Sequence, residues 1–256
     1  MHRLPGTIYV FGKAIRELVI VKAVVLAGGK GARLAPYTRI IPKPMMPIGD
    51  KAILEVMLHQ MRRAGIHEVI LTVGHLAGLM RAFFQDGSQL GLNICYSLED
   101  HPLGTAGPLG LIDGLDETFM VCNGDVLTTL DMRDLMDFHK QNMGVATIAS
   151  HMRQVHIDLG VIQTNGDHSI VGYQEKPIID YLVSMGIYIF EPEVLKYIPR
   201  GQYLDFPDLI KILVADNKKV MAYPFDGYWE DLGRPDDYEQ ANADFEQMRS
   251  QFLPEE

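Results

Sequence analysis

Apolar positions along this chain fall into two rhythms. Largely apolar runs of five or six residues recur at Ala23 to Ala27, Glu68 to Val73, Leu92 to Ser97 and Thr118 to Cys122. Runs this short and this continuous predict strands buried on both faces. Between them, Lys51 to Ala64 places Ile53, Leu54, Met57, Leu58 and Met61 at helical spacing ahead of a glycine stop at Gly65, and Leu76 to Phe84 reads as a second helix. The resulting β-α-β-α-β order predicts a parallel, doubly wound sheet. Asp131 and Asp134 cap and open a third helix through His139.

The rhythm changes after residue 145. Strands at Val145 to Ala149, Gly160 to Gln163, Ile170 to Tyr173 and Val183 to Phe190 follow one another, with Asn165-Gly166 as a tight hairpin turn, so a β-rich lobe is expected here. Alternation returns with a helix at Phe206 to Val214, a strand at Lys219 to Tyr223 and a helix opened by Pro235, Asp236 and Asp237. One α/β domain over 21–256 is predicted, with 1–20 as an extension ahead of the first strand. No repeat, coiled coil or low-complexity segment interrupts it.

Composition narrows the partners. A chain of 256 residues, 47% hydrophobic and 22% charged, is long enough for one large core. Its formal net charge of -10 argues against nucleic acid, which wants a basic face, and leaves local cationic pockets for small phosphorylated substrates. Cys95 and Cys122 each lie in an apolar run and read as two buried reduced thiols of a cytosolic protein. The apolar run from Leu18 to Ala27 is broken by Lys22 and too short to span a membrane, and Gly12, Lys13, Arg16 and Glu17 interrupt any signal-peptide core. The nine histidines show no metal-binding spacing.

The candidate chemistry begins where the first strand empties into Gly28, Gly29 and Gly31, followed by Arg33, Arg39 and Lys43. Glycines let backbone N–H groups converge on an anion, and the cations neutralise oxygens those groups cannot reach. Neither a P-loop nor a dinucleotide fingerprint fits the spacing, since Gly29-Lys30-Gly31-Ala32-Arg33-Leu34 lacks the last glycine. Further on, Gly104 gives close backbone approach and Thr105 offers an N-cap just before a helix. Asn123-Gly124-Asp125 sets a carboxylate at the carboxyl end of a strand, where the ligand crevices of open α/β sheets lie.

The ordered run G-G-x-G-x-R-L-x-P-x-T followed by P-K-P, from Gly28 to Pro44, resembles the signature of sugar-1-phosphate nucleotidyltransferases. Ala32 departs from it, because family members usually carry Ser or Thr there, so one hydroxyl contact to phosphate is missing. The resemblance covers roughly Val21 to Glu246. It implies a Rossmann-like, doubly wound, mostly parallel sheet with a β-rich sugar-binding lobe, and a reaction of NTP with sugar 1-phosphate giving NDP-sugar and pyrophosphate. It assigns Arg33 to the leaving pyrophosphate, Lys43 to the phosphates at the reacting centre, and Asp125 with Asp231 of the W-x-D-x-G stretch to Mg²⁺. Ala27, Gly28, Gly29, Gly31 and Gly124 would lie along the nucleotide, and Gly104 and Thr105 would face the base. Gly160, Glu175 and Lys176, the last two in an E-K-P motif, would hold the sugar and its phosphate.

The G-T-A-G wording from Gly104 to Gly107 is closer to mannose-1-phosphate guanylyltransferases than to uridylyl or thymidylyl relatives, which makes GTP with a manno-configured sugar 1-phosphate the first expectation. A uridylyl-, thymidylyl- or cytidylyltransferase acting on glucose 1-phosphate stays open, as does a non-catalytic paralogue that senses a nucleotide sugar. A glycosyltransferase ranks below both, because Asn123-Gly124-Asp125 supplies one carboxylate where a D-x-D motif would supply two. Homo-oligomerisation is left open.

Overall fold

The computed structural model describes residues 22–254 together with a short strand pair at Tyr9–Val10 and Lys13–Ala14. Apart from that pair, the expected extension over 1–20 lies outside the described residues. The fold is built on a seven-stranded sheet with helices on both faces. In chain order its parts are β1 (Lys22–Leu26), α1 (Ile53–Arg63), β2 (Glu68–Val73), α2 (Ala77–Phe84), β3 (Asn93–Leu98), β4 (Phe119–Asn123), β5 (Val126–Thr128) and α3 (Met132–Asn142). They continue with β6 (Ala146–His156), β7 (Val161–Thr164), β8 (Ile170–Gln174), β9 (Ile178–Phe190), α4 (Phe206–Ala215), β10 (Val220–Pro224), β11 (Trp229–Asp231) and α5 (Pro235–Phe252).

The sheet order is β10-β6-β9-β4-β1-β2-β3, with β9 antiparallel to both of its neighbours and the remaining pairs parallel. A mostly parallel, doubly wound sheet is therefore what the alternating pattern produces. Along β1 the side chains of Ala23 and Val25 enter the core under α1, α2 and α3, whereas Val24 enters a second core with Leu209 and Leu213 of α4. Burial on both faces is why the strand reads as an unbroken apolar run. A third cluster, around Leu34, Ile48, Ile53, Phe245 and Phe252, fastens α5 across the loops that follow β1. Asp131 caps α3 as expected, its carboxylate accepting from the Arg133 N–H at 2.9 Å.

Two expectations are corrected, the burial of Cys95 by sheet order and the tight turn at Asn165-Gly166 by local hydrogen bonding. Cys122, in the central strand β4, is buried, and burial drives its thiol pKa well above the ordinary value. Cys95 is exposed. It sits on β3, the edge strand, on the opposite face from the buried Ile94. An apolar run does not reveal which strand will be the edge. The Asn165-Gly166 turn does join β7 to β8, but as a longer loop in which the Asn165 side chain accepts from the Asp167 and Ser169 N–H groups.

The β-rich lobe projects as expected, yet its strands run farther than their apolar cores. β6 and β9 pair over His151 to His156 and Ile178 to Val183, well beyond the part of the sheet flanked by β10 and β4.

Candidate functional site

Gly31 adopts φ +59, and a Cβ there would lie 2.9 Å from Thr38 Cγ2 and 3.2 Å from Lys43 Cβ. Only glycine lets the loop fold that tightly onto Lys43. Thr38 locks the same turn by donating its hydroxyl to the Gly31 carbonyl at 2.8 Å. From the other side, Gly49 N–H donates to Asn242 Oδ1 at 3.2 Å and Asp50 pairs with Arg249 at 2.7 Å, so α5 fixes the segment that follows Lys43.

Lys43 is buried, and its Nζ stands 2.5 Å from Asp125 Oδ2 and 3.6 Å from Asp231 Oδ1. Backbone pairing brings the two aspartates to it. Asp125 immediately precedes β5, and β5 pairs antiparallel with β11 so that Asp231 stands opposite Val126. The Leu232 N–H then donates to the Asp125 carbonyl at 3.2 Å. Trp229 anchors β11 by donating Nε1–H to the Met185 carbonyl at 3.0 Å. Burial chiefly, and then the charge of Asp125, raises the Asp231 pKa, with the Lys43 and Arg33 cations opposing. Arg33 reaches the same place from the glycine loop, its guanidinium 3.2 Å from where a Cβ on Gly233 would stand.

Two joined hollows open over this cluster. The smaller, about 250 Å³, is lined by Ala27, Gly29, Gly31, Arg33, Lys43 and Asp125. The larger, about 820 Å³, carries Gly28, Gly29, Gly104, Thr105 and Asp125, and is ample for a nucleotide. Gly29 belongs to both and has open space where a side chain would be. Gly124 answers to packing instead, since a Cβ there would press on the Leu26 carbonyl at 3.0 Å.

Gly160, Glu175 and Lys176 stay apart: they lie on the projecting lobe and line neither hollow. Gly160 packs against the Tyr173 ring, whose hydroxyl donates to Glu175 Oε2 at 2.9 Å. Lys176 holds φ +45, an uncommon conformation for a residue that precedes proline.

Thr105 does not cap the helical turn that follows it. Its hydroxyl accepts from the Phe206 N–H at 2.8 Å and donates to Asp205 Oδ1 at 3.1 Å, so it caps α4, a hundred residues away. Gly104, at φ +78, makes its close approach to the Leu204 backbone for the same junction. Replacing Thr105 by Val keeps the shape and removes these bonds, at a cost of about 1–2 kcal/mol. A calorimetric melting temperature lower by roughly 2–4 °C per kcal/mol is expected, with recovery in Thr105→Ser. An unchanged melting temperature in Thr105→Val would show that the cap contributes nothing.

Among the residues of the larger hollow that the sequence reading did not single out is Glu99. It directly follows β3 at its carboxyl end, the position that marked Asp125 after β4. Its Oε1 lies 2.6 Å from where a Cβ on Gly28 would be, and burial raises its pKa. Among the described residues, no three His, Cys, Asp or Glu side chains gather to hold a metal, which leaves the Asp125 and Asp231 carboxylates as a two-residue donor set.

The model of the nucleotidyl transferase family matches residues 22–248. Over 240 residues the chain is 38% identical to a UTP–glucose-1-phosphate uridylyltransferase of Synechocystis sp., covering 86% of this chain and 62% of that one. It is also 38% identical over 231 residues to a mannose-1-phosphate guanylyltransferase of Mycobacterium tuberculosis, covering 88% and 64%. The chain thus spans less than two thirds of the length of these curated relatives. A crystal structure of a Bacillus anthracis protein, provisionally named a glucose-1-phosphate thymidylyltransferase, superposes with a TM-score of 0.72 at 22% identity, covering 87% of this chain and 94% of that one.

Proposed function

Since the chain belongs to the nucleotidyl transferase family, we propose that it joins an NTP to a sugar 1-phosphate, releasing pyrophosphate and forming an NDP-sugar. The observation that carries the reading is the meeting of Lys43, Asp125 and Asp231 beneath a glycine loop that opens into a nucleotide-sized hollow. GTP with mannose 1-phosphate, or a related manno-configured sugar, is the first choice. Glu99 supports it: a carboxylate offers two acceptor oxygens to the adjacent N1–H and N2–H donors of guanine, whereas uracil presents a single N–H on that edge. The second choice is uridylyl transfer to glucose 1-phosphate, favoured by the name of the Synechocystis relative.

In this reading a phosphate oxygen of the sugar 1-phosphate attacks the α-phosphorus in line, a new P–O bond forms, and the bond to the leaving pyrophosphate breaks. The protein has mainly to position two polyanions and neutralise their charge. Arg33, exposed at the rim, holds the pyrophosphate end, and Lys43 meets the oxygens of the reacting phosphate. Gly28, Gly29 and Gly31 present backbone along the phosphates, while Glu175 and Lys176 hold sugar hydroxyls and sugar phosphate when the lobe closes on the site.

Family members generally use a divalent metal. Two carboxylates brought together by the pairing of β5 with β11 suit a hard, oxygen-seeking cation, so Asp125 and Asp231 would hold Mg²⁺. When bound, it would offset the repulsion between the two anionic substrates. No helix among the described residues is long and apolar enough to cross a membrane. A cytoplasmic site of action is part of the proposal.

A matrix of five NTPs against several sugar 1-phosphates, read by pyrophosphate release with Mg²⁺, tests the reading. Release is expected only when both substrates are present, and most strongly with GTP and mannose 1-phosphate. Silence with every pair, together with tight binding of a nucleotide sugar, would replace it by a sensing role.

A further inference from the structure

Much of the wall of the larger hollow is bare backbone. Gly28, Gly29, Gly74 and Gly104 all border it, and a glycine gives a planar ligand little side-chain surface to lie against. One ring stands among them. Of the Phe, Tyr and Trp side chains of the described residues, Tyr203 alone lines either hollow. It is 65% exposed, so most of the ring is open to whatever enters. A singly exposed aromatic side chain is ordinary on a protein surface, but this one is held in place.

Its hydroxyl donates to Asp205 Oδ2 at 2.5 Å, while Asp205 Oδ1 accepts from the Thr105 N–H at 2.9 Å and from the Thr105 hydroxyl at 3.1 Å. These bonds, that of Tyr203 first, hold the Asp205 carboxyl below the ordinary carboxylate range, so the ring is moored to an ionised group. Behind the ring, the Leu204 N–H donates to the Leu103 carbonyl at 2.9 Å, and the Ala106 and Gly107 N–H groups donate to the Leu204 carbonyl at 2.9 and 3.0 Å. The stretch from Tyr203 to Asp205 is thereby knitted to the loop that carries Gly104, where a Cβ would stand only 2.6 Å from the Leu204 carbonyl. Tyrosine brings a large contact area on two side-chain torsions, and here both ends of the side chain are anchored before any ligand arrives.

We infer that the Tyr203 ring is the stacking face for the nucleobase, an inference that rests on the nucleotidyl transfer proposed above and names a further residue for choosing the base. Glu99 and Tyr203 then divide the work: the carboxylate meets hydrogen-bond donors on the edge of the base, and the ring covers its flat face. Stacking tolerates any base, but a purine offers the ring a larger face than a pyrimidine does. The ring therefore favours GTP over UTP by size, independently of the donor pattern that Glu99 reads. The hydroxyl orients the ring through Asp205 and Thr105. Because Thr105 also caps α4, a base stacked on Tyr203 steadies the start of that helix as well.

The test is calorimetric titration of the full 256-residue chain with GTP and with UTP, each without sugar 1-phosphate. Tyr203→Ala should raise Kd for GTP by about tenfold or more and Kd for UTP by less, while Tyr203→Phe, which keeps the ring, should stay within about threefold of the parent. Because the side chain is exposed, both variants should melt close to the parent. In pyrophosphate-release assays Tyr203→Ala should raise KM for the NTP and leave KM for the sugar 1-phosphate unchanged, which a general loosening of the fold would not do. An unchanged Kd for GTP in Tyr203→Ala would overturn the inference. So would an equal loss in Tyr203→Phe, because the hydroxyl and its bonds would then be what matters. The reading beneath it fails differently: nucleotide binding that depends on the ring, with no transfer to any sugar 1-phosphate, would remove the transferase activity and leave the stacking face standing. A parent chain that binds neither nucleotide would take down both.

Discussion

Asp125→Asn and Asp231→Asn should each lower turnover by about a hundred- to a thousandfold, and the double variant by little more than the worse single one. The two carboxylates converge on one Nζ and would share one ion, and groups that act as a unit lose their effect together. Fully additive losses in single-turnover assays would separate their roles.

Asp231→Asn should also do something a simple structural lesion would not, which is to raise the melting temperature at neutral pH. The Asp231 pKa is raised, first by burial and then by the charge of Asp125. A carboxyl whose folded pKa exceeds its unfolded one favours the fold fully only below the unfolded value, and that contribution is lost as pH rises through the folded one. At neutral pH the ionised Asp231 is therefore a net cost to the free protein, removed by the amide. The gain should vanish below about pH 4, where the parent carboxyl is protonated. An Asp231→Asn melting curve that coincides with the parent's at pH 7 would show that Lys43 and Arg33 already cancel the cost.

Lys43→Ala should mainly lower kcat and Lys176→Ala should mainly raise KM for the sugar 1-phosphate, although composition treats the two lysines alike. Lys43 is buried and held in place by Gly31 and both aspartates, so it has little freedom to follow a ground-state ligand, and in the proposed reading it would meet charge that rearranges at the α-phosphorus. Lys176 is exposed on the lobe, away from the hollows, and in the proposed reading it would hold a phosphate present before and during the reaction. Loss of a contact specific to the transition state lowers kcat, and loss of uniform binding raises KM. A charge-assisted phosphate contact of about 1.5–3 kcal/mol corresponds to an effect of roughly ten- to a hundredfold. If Lys176→Ala raised KM for the NTP alone, the E-K-P assignment would fail and the sugar site would have to lie elsewhere.

What could be read without coordinates was whatever is encoded over short distances. The glycine loop, Lys43 and Asp125 each announce themselves within a few residues of a strand end, and an apolar strand reads the same wherever it lies in the sheet. Properties set by distant partners were hidden. Thr105 looked like a cap for its own helix because nothing local points to Phe206, and Cys95 looked buried because edge status belongs to the sheet. Glu99 was legible in principle, by the rule that found Asp125, but an acidic residue in a polar loop carries no glycine beside it to draw notice. The long reach of β6 and β9 was missed because their outer halves mix Arg153, Gln154 and Asp180 with apolar residues.

The pairing of β11 with β5 has a consequence for how the protein comes into being on the ribosome. The second aspartate is encoded 106 residues after the first (231 less 125). At about 5–20 residues per second, roughly 5–20 s of synthesis separates them. Through that interval the emerging chain can already form the glycine loop and the first four strands of the sheet. A nucleotide that reached them would meet Lys43 against a single carboxylate, so in the proposed reading the nascent polypeptide would stay silent until its last-made strand zips onto β5.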